Sequence, residues 1–409
     1  MDALRDSPAR AKTRETTDWS RVAFGVALGA YAAYQQFKLP PILPDFLARY
    51  PHSPVIAAGF MSIYALVGLI ASAAIGRKLD RNMGIGVAAL IGLTVIGVTL
   101  ALSAPQSAPL MLLSRGLEGL AFAIAAIAGP AIAAGAAKPR DLPIVTGLLA
   151  GWIPMGQIVA ALAALALGDW HWLWIIGLGL GLPLGLWAWM LLRDPGNGGP
   201  AARPAVRHPD RLQHRQLVFA GTIFMLWSGQ YFAFMTWLTQ YLTSVLALGH
   251  AASVLAYLVP VVVLLGCNLL TGWALRHGLA LIPAMIIALI GQALVWFAQP
   301  WLSGGVGLIG LIVYGIGAGV VPTCLFQSPH AIARGTAGAS FFGIVMTGRN
   351  IGVFMGPLLL AFLIGTDEFS LHLSWTASAQ AIGCLTLAAV GVALLLARSL
   401  RHAVSHAAA

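Results

Sequence analysis

Residues 76–84 read Gly-Arg-Lys-Leu-Asp-Arg-Asn-Met-Gly and separate two long apolar stretches, residues 54–76 and 84–104. A helix needs roughly 20 apolar residues to cross a bilayer core about 30 Å thick, and each stretch has about this length. A short basic loop between two such stretches is typical of a helical hairpin whose loop faces the cytoplasm. This part of the chain therefore predicts a membrane-spanning fold.

The same pattern continues along the whole chain and gives twelve predicted membrane-spanning helices. They lie near residues 20–42, 54–76, 84–104, 108–135, 143–167, 171–192, 216–243, 252–275, 279–299, 304–326, 337–364 and 374–398. The composition agrees, because 59% of the residues are hydrophobic and only 9% are charged, whereas roughly 25% are charged in soluble domains. The sequence therefore predicts an all-α integral membrane protein.

The basic residues predict the orientation in the membrane. With an internal N-terminus, 19 Lys and Arg residues fall on inner segments, whereas the outer loops hold only Arg49 among the bases, beside Asp45, Asp169, Asp367 and Glu368. The positive-inside rule then places both termini in the cytoplasm, as in a multi-pass protein of the inner (cytoplasmic) membrane. The net charge of +10 is thus a topology signal. Because the bases are scattered rather than gathered on one face, no nucleic-acid partner is expected.

The twelve spans divide into two predicted halves. The N-terminal six-helix bundle with its cytoplasmic tail covers residues 1–192, a cytoplasmic linker covers 193–215, and the C-terminal bundle with its tail covers 216–409. The linker is rich in Pro, Gly and Arg, a composition that buries little apolar surface. Residues 146–151 and 347–352 share a Thr-Gly-x-x-x-Gly pattern at an offset of 201 residues. They predict equivalent seams of close helix packing.

Three motifs lie in order along the spans. The first span ends in Leu-Pro-Pro-Ile-Leu-Pro at residues 39–44, and the fourth contains Arg-Gly-Leu-Glu-Gly at 115–119. In the loop after the second span, Gly76 is followed four residues later by Asp80-Arg81, and Gly84 comes after them. In these motifs and their order the chain resembles the major facilitator superfamily of secondary transporters.

The resemblance implies two pseudo-symmetric six-helix bundles and a carrier rather than an enzyme. It also implies that the loop after the second span helps to close the cytoplasmic side. A degenerate copy of this loop follows the eighth span, and the predicted cytoplasmic gate consists of Gly76, Asp80, Arg81, Gly84 and Arg276. The alternative is that these bases only anchor the topology.

Four charged residues fall inside the predicted spans: Lys38, Arg115, Glu118 and Arg349. Each costs roughly 2.5–3.5 kcal/mol at a bilayer centre and needs a partner or a polar cavity. Arg115 and Glu118 are three residues apart and share a helix face, so they can pair, or Arg115 can be held by backbone carbonyls. Lys38 either faces a cavity or extends outward to the membrane surface. Arg349 has no acidic residue on its own span, which favours a functional counter-charge.

Polar and aromatic side chains at helical spacing complete the predicted substrate site. The residues assigned to it are Arg349, Arg115, Lys38, Gln35, Tyr31, Tyr34, Gln230, Phe234, Trp237, Asn350, Gln157 and Asn268. For the polar members the alternative is helix-to-helix hydrogen bonding, and for the aromatic ones it is anchoring at the membrane interface.

An excess of cations over anions in the spans predicts an anionic substrate, because the planar guanidinium group binds a carboxylate bidentately. Glu118 is the only carboxylate in the predicted spans and is assigned to proton coupling. Residues 152–156, Trp-Ile-Pro-Met-Gly, are similar to porters of small anions of the cyanate type. We therefore predict proton-coupled import of a small organic or inorganic anion. The alternatives are a proton-driven drug or metabolite exporter and, from another class, a transporter-like membrane sensor.

Clusters for catalysis or metal binding are not expected. The three cysteines lie in predicted spans without close spacing, and four histidines stand singly on outer loops: His52, His171, His250 and His372. No pair has metal-ligand spacing and no nucleophile lies beside a base. We expect no cofactor, no metal and no enzymatic activity. The expected partners are a small anion, protons and the lipid bilayer, and the resemblance implies a monomer.

Overall fold

The computed structural model describes residues 16–81, 83–138, 141–192, 209–333, 339–365 and 370–408. Within these ranges the chain is helical and forms no strand. Two short 3₁₀ turns, Pro40–Ile42 and Gln299–Trp301, interrupt the helices. The helices are α1 (Trp19–Phe37), α2 (Leu43–Arg49), α3 (Pro54–Arg81), α4 (Met83–Ser103), α5 (Ala108–Ala136), α6 (Leu142–Ala150), α7 (Trp152–Leu167), α8 (Trp170–Leu192), α9 (Arg211–Ser244), α10 (His250–Arg276), α11 (Leu281–Ala298), α12 (Gly304–Ala333), α13 (Ala339–Ile364) and α14 (Trp375–Ala408).

The helices confirm the predicted all-α membrane fold. Among the described residues, ten helical segments are long and apolar enough to cross a membrane, and Pro54–Ile70 is a shorter apolar helix. The remaining predicted span coincides with α1, whose C-terminal half carries Tyr and Gln side chains that lower its hydropathy. The fifth span is made of α6 and α7, which meet at Gly151.

The helices pack as two groups of six spans. In the first group α1 packs against α5, α7 and α8, and α5 also contacts α3 and α4. In the second group α9 packs against α12, α13 and α14, and α12 also contacts α10 and α11. The groups meet where α3 contacts α13, where α7 contacts α10, and where the first 3₁₀ turn and α2 contact α9. This arrangement is the two-bundle fold that the motifs imply.

The predicted linker lies mostly outside the described residues, but its end is visible. Residues 193–208 are not described, and α9 begins at Arg211. The side chain of Asp210 accepts a hydrogen bond from the backbone of Gln213, whose side chain bonds back to the Asp210 backbone. This capping box fixes the helix start, so residues 211–215 are helical rather than part of a linker.

The two bundles repeat in a different register from the predicted one. Pro54 and His250 begin equivalent helices 196 residues apart, and so do Ala108 and Gly304. The offset of 201 residues is therefore wrong. The Gly147 position faces open space, so this glycine marks no tight packing seam.

Gly156, not Gly151, is the counterpart of Gly352. A Cβ atom added at Gly156 would collide with the backbone of Ala30 and Tyr34 on α1. At Gly352 it would collide with the carbonyl oxygen of Met225 on α9. Glycines at these two points let α7 approach α1 and α13 approach α9 closely in each bundle.

The structure is closed at one end. We call the end that carries the α1–α3, α4–α5, α7–α8, α9–α10 and α11–α12 connections the far side, and the opposite end the near side. Three hydrogen bonds between the bundles lie in the far half. They join Tyr231 to Gln157, Thr239 to the carbonyl of Pro40, and His250 to the carbonyl of Ala164.

Candidate functional site

Three charged side chains form a buried cluster between α1 and α5. Lys38 Nζ lies 2.7 Å from Glu118 Oε1, and Arg115 Nη1 lies 2.6 Å from Glu118 Oε2. Tyr64 of α3 donates a hydrogen bond to the same Oε2 at 2.6 Å. None of the three charged residues is more than 1% exposed. With all three groups ionised, the cluster carries one net positive charge.

The end of α1 explains why Arg115 lies there. The last carbonyls of a helix lack intrahelical partners, and Pro40 has no N–H with which to bond the carbonyl of Gln36. Arg115 replaces these partners, because it donates to the carbonyls of Gln35 at 3.0 Å and Gln36 at 2.9 Å. The proline motif of the first span and the arginine motif of the fourth span therefore form one structural unit.

The guanidinium of Arg115 has no free donor in this structure. Nε donates to the carbonyl of Phe60 at 3.0 Å, and Nη2 also contacts Met61 Sδ at 3.7 Å. With the bonds to Gln35, Gln36 and Glu118, all five N–H groups are used. Both predictions for its bonding, to Glu118 and to backbone carbonyls, are confirmed. Its assignment to the substrate site stays a prediction.

Lys38 points into the protein rather than towards the membrane surface. Its Nζ also donates to Gln35 Oε1 at 2.7 Å and lies 4.3 Å from the ring centroid of Trp174. The alternative that Lys38 extends outward is therefore wrong, since a carboxylate, an amide and an aromatic face hold its ammonium group inside. Sequence reasoning missed the pairing of Lys38 with Glu118, because the two residues lie 80 positions apart on different helices.

The network continues from Lys38 along α1. Gln35 Nε2 donates to the hydroxyl of Tyr31 at 2.9 Å, and Tyr31 donates to the carbonyl of Gly177 at 3.0 Å. Tyr34 bonds the carbonyl of Leu173 on α8 at 2.7 Å. A cavity of about 10 Å³ borders Glu118, Tyr31, Gln35 and Thr94. This is about the smallest volume that holds one water molecule.

The C-terminal bundle places aromatic rings at the equivalent positions. Phe234 and Tyr314 lie 196 residues after Lys38 and Glu118, and their rings stack with centroids 3.8 Å apart. Gln230 Oε1 accepts hydrogen bonds from Tyr314 and Trp296, each at 2.8 Å. In the C-terminal bundle, α9 and α12 therefore pack at the equivalent place through aromatic rings instead of charged groups.

Arg349 lies half-buried in α13 and, unlike Lys38 and Arg115, has no acidic partner among the described residues. Its Nη1 donates to Asn350 Oδ1 at 3.2 Å. It lies close to Tyr231 of α9, and Ser228 of α9 donates a hydrogen bond to the backbone carbonyl of Arg349 at 2.9 Å. A cation without a counter-charge thus lies beside the junction of the two bundles.

Unsatisfied polar groups surround Tyr231. The Tyr231 hydroxyl donates to Gln157 Oε1 at 3.0 Å, and the ring of Trp227 stacks on Tyr231 with centroids 5.2 Å apart. Among the described residues, Gln157 Nε2 and the hydroxyl of Tyr257 have no hydrogen-bond partner although both are buried. Such groups are costly unless a ligand, a water molecule or a conformational change satisfies them.

Two other predicted site residues join helices. Trp237 Nε1 donates to the carbonyl of Pro357 at 3.1 Å. Asn268 Oδ1 accepts a hydrogen bond from Thr323 at 3.0 Å. The Asn268 contact matches its alternative of helix-to-helix hydrogen bonding. Trp237 is buried between helices, which does not match its alternative of anchoring at the membrane interface. Among the described bonds, none links either residue to Arg349 or Glu118.

The predicted gate is only partly visible. The surroundings of Gly76 and the side chains of Asp80 and Arg81 lie outside the described residues. Gly84 is exposed near the start of α4, and Arg276 is exposed at the near end of α10. The gate stays a prediction. In the described ranges, no group of three or more His, Cys, Asp or Glu residues could hold a metal ion.

A family model decides the class of protein. The model of the Major Facilitator Superfamily matches residues 22–357. The chain belongs to the Major Facilitator Superfamily. This membership identifies it as a multi-pass membrane transporter of small molecules and a non-enzymatic carrier, as the motifs imply.

Solved structures of the same fold agree with the membership. A bacterial homolog of the human lysosomal transporter Spinster, in an inward-facing and occupied conformation, is 14% identical with a TM-score of 0.73, covering 92% of this chain and 96% of that one. The nucleoside transporter NupG is 14% identical with a TM-score of 0.71, covering 92% and 99%. The human organic anion transporter MFSD10 is 17% identical with a TM-score of 0.67, covering 94% and 100%. No curated protein matches the sequence.

Proposed function

We propose that the protein is a secondary active transporter that works by alternating access and imports a small organic or inorganic anion together with protons. The observation that carries this proposal is the state of Arg349. Its guanidinium is half-buried in a membrane-spanning helix and has no carboxylate partner among the described residues. An uncompensated cation at such a place is costly, and a bound anion would supply the missing charge.

The groups near Arg349 support a small polar anion. A guanidinium binds a carboxylate or a similar oxyanion through two parallel hydrogen bonds. The unpaired amide of Gln157 and hydroxyl of Tyr257 offer further donors close to Tyr231. The similar fold of MFSD10, an organic anion transporter, is compatible with this substrate class, but its 17% identity concerns the fold alone.

Glu118 is the residue that we propose for proton coupling. It is the only carboxylate in the buried cluster, and protonation would leave Lys38 and Arg115 without their shared counter-charge. Since both cations hold the end of α1, a proton would change how α1 is fixed to α5. Stability alone does not explain these charges. A buried ion pair can often be replaced by apolar groups without loss, and the C-terminal bundle has aromatic rings there.

In this proposal Arg115 positions Glu118 and the end of α1. The protein lies in an inner membrane, and its near side and both termini face the cytoplasm. The closed far side then faces the outside. The division into two bundles, with the second beginning at α9, the cytoplasmic gate and the monomeric state are part of the same proposal.

The test is uptake into proteoliposomes with an imposed inward proton gradient, using a panel of carboxylates and small inorganic anions. Arg349→Ala removes hydrogen bonds to a charged ligand and should lower uptake of the transported anion about tenfold to hundredfold. Arg349→Lys should retain part of the activity, and Arg401→Ala, which changes an exposed residue of α14, should transport like the wild type. Anion uptake that Arg349→Ala leaves unchanged would remove Arg349 from the site.

One observation favours export of a lipophilic compound as the second candidate. A groove of about 320 Å³ lies between α1 and the α6–α7 segment, and its lining is apolar: Trp19, Val22, Ala23, Val26, Ala27, Leu148 and Met155. If no anion of the panel moves and a lipophilic dye is driven out in exchange for protons, the exporter replaces the importer.

A further inference from the structure

One histidine joins three elements of the two bundles on the far side. His250, the first residue of α10, belongs to the C-terminal bundle. Its Nδ1 lies 2.7 Å from Asp45 Oδ2 of α2, and its Nε2 lies 3.3 Å from the carbonyl oxygen of Ala164 on α7. Both partners belong to the N-terminal bundle, so this single side chain spans the seam that must open when the far side opens.

The partners determine the charge of the ring. A carboxylate and a backbone carbonyl can only accept hydrogen bonds at these atoms. Each ring nitrogen therefore needs a proton to make its contact, and a histidine with protons on both nitrogens is the imidazolium cation. A neutral ring has one N–H and can keep one of the two contacts. At the other contact its unprotonated nitrogen would face an oxygen that also only accepts. Both contacts of the closed far side can therefore be made at once only by a protonated His250.

Few other charges act on this contact. Residues 152–167 of α7, 216–244 of α9 and 250–275 of α10 contain no Asp, Glu, Lys or Arg. Asp169 is itself bound by His171 at 2.7 Å and feels the charge of Arg49, which lies one turn along α2 from Asp45. Asp45 is therefore the counter-charge of His250.

The contact is also open to solvent protons. The side chains of His250 and Asp45 are 29% and 54% exposed on the far side. Deeper in the same seam Thr239 bonds the carbonyl of Pro40, and the rings of Phe37 and Phe232 meet with centroids 5.5 Å apart. These contacts carry no charge, so among the described contacts of the seam the His250–Asp45 pair is the charged one.

We propose that His250 is a proton-binding latch, which holds the far side closed when protonated and releases it when neutral. Acid on the far side therefore favours the far-closed conformation. Because the pair is exposed, the shift is modest. Exposed ion pairs change an equilibrium by about twofold to fivefold. The latch requires only that the bundles separate on the far side during transport, and it is independent of the substrate and of Glu118.

The test measures the distance between the two bundles on the far side by pulsed electron paramagnetic resonance. Spin labels are attached to Ser103→Cys, at the exposed end of α4, and to Ser303→Cys, in the exposed α11–α12 connection. The three native cysteines are replaced by Ala, and the protein is held in nanodiscs so that both sides have the same pH. The pH is varied from 8 to 5, the range in which histidine changes its charge.

In the wild-type background, the ratio of short to long distances should rise about twofold to fivefold from pH 8 to 5. His250→Gln should remove this rise, and Asp45→Asn should reduce it by taking away the counter-charge. His171→Gln is the matched control, because His171 pairs with Asp169 within one bundle, and it should keep the full response. A ratio that does not depend on pH, a ratio that falls in acid, or an undiminished response in His250→Gln would overturn the proposal.

Discussion

The buried charge cluster makes a specific prediction about rescue between two destabilised variants. Glu118→Gln replaces a carboxylate that accepts from Lys38, Arg115 and Tyr64. A glutamine has one acceptor oxygen and one donor amide, so either the ammonium or the guanidinium must face another donor at the former 2.6–2.7 Å separation. We expect that adding Lys38→Met to Glu118→Gln restores part of the lost stability.

The contacts of the cluster determine how much stability each variant should lose. Glu118→Gln leaves two buried cations without a counter-charge and should cost about 3–5 kcal/mol. Lys38→Met alone is milder, at about 1–3 kcal/mol, because Glu118 keeps Arg115 and Tyr64. In the double variant the glutamine amide no longer faces an ammonium, and Arg115 keeps its three backbone carbonyls. The double variant should therefore be more stable than Glu118→Gln alone, which requires a coupling free energy larger than the cost of Lys38→Met, about 1–3 kcal/mol.

The assay is thermal unfolding of the purified protein in one detergent at one pH, read as Tm for the wild type, both single variants and the double variant. The double variant should unfold at a higher temperature than Glu118→Gln. Combining Glu118→Gln with Trp237→Phe, in the other bundle, provides the control and should give additive losses. Additive losses for Lys38→Met with Glu118→Gln as well would refute the idea that these residues form one charge-balanced unit.

Three further predictions follow from other parts of the structure. Gly352→Val should prevent folding or strongly reduce the yield of folded protein, because a Cβ there collides with the Met225 carbonyl of α9, whereas Gly147→Ala at an open position should fold normally, as size-exclusion chromatography in detergent can show. Tyr231→Phe removes the hydroxyl that bonds Gln157 and should weaken the apparent affinity for the transported anion about tenfold in uptake assays, and an unchanged affinity would place the substrate elsewhere. The hydrogen bond from His171 lowers the pKa of Asp169, so its stabilising effect is present above the ordinary pKa range of Asp and is lost as the pH falls through the lowered value. Because the pair is so exposed, Asp169→Asn should lower the free energy of unfolding at pH 6 by about 1 kcal/mol or less, seen as a slightly lower Tm, and the two Tm values should become equal in strong acid.

Hydropathy and the motifs predicted the fold well because both report on single helices. Each predicted span coincides with helix, since twenty apolar residues in a row have few other structures open to them. The internal repeat was harder. The Thr-Gly-x-x-x-Gly pattern predicted an offset of 201 residues between the two halves. In the structure the glycines at which helix backbones touch are Gly156 and Gly352, which are 196 residues apart. Small residues are so frequent here, with 47 glycines, that only packing distinguishes the two registers.

For the buried charge cluster, the sequence predicted the contact within one helix but not the contact between helices. Arg115 and Glu118 share one helix, so their pairing followed from their spacing. The pairing of Lys38 with Glu118 depends on how α1 ends at Pro40 and where α5 crosses it, which no local pattern contains. The latch at His250 was missed for the same reason, because its partners Asp45 and Ala164 come from two other helices. A histidine that stands alone in the sequence can still be paired in the fold.

The most direct test of the proposed function is the internal pH of proteoliposomes when a transported anion is added outside, with no proton gradient imposed. A pH-sensitive dye inside the vesicles reports protons that enter with the anion. For the wild type we expect the interior to acidify in step with anion uptake. For Glu118→Gln we expect anion entry without acidification. Anion entry into wild-type vesicles at constant internal pH, or equal acidification with Glu118→Gln, would contradict proton-coupled import through Glu118.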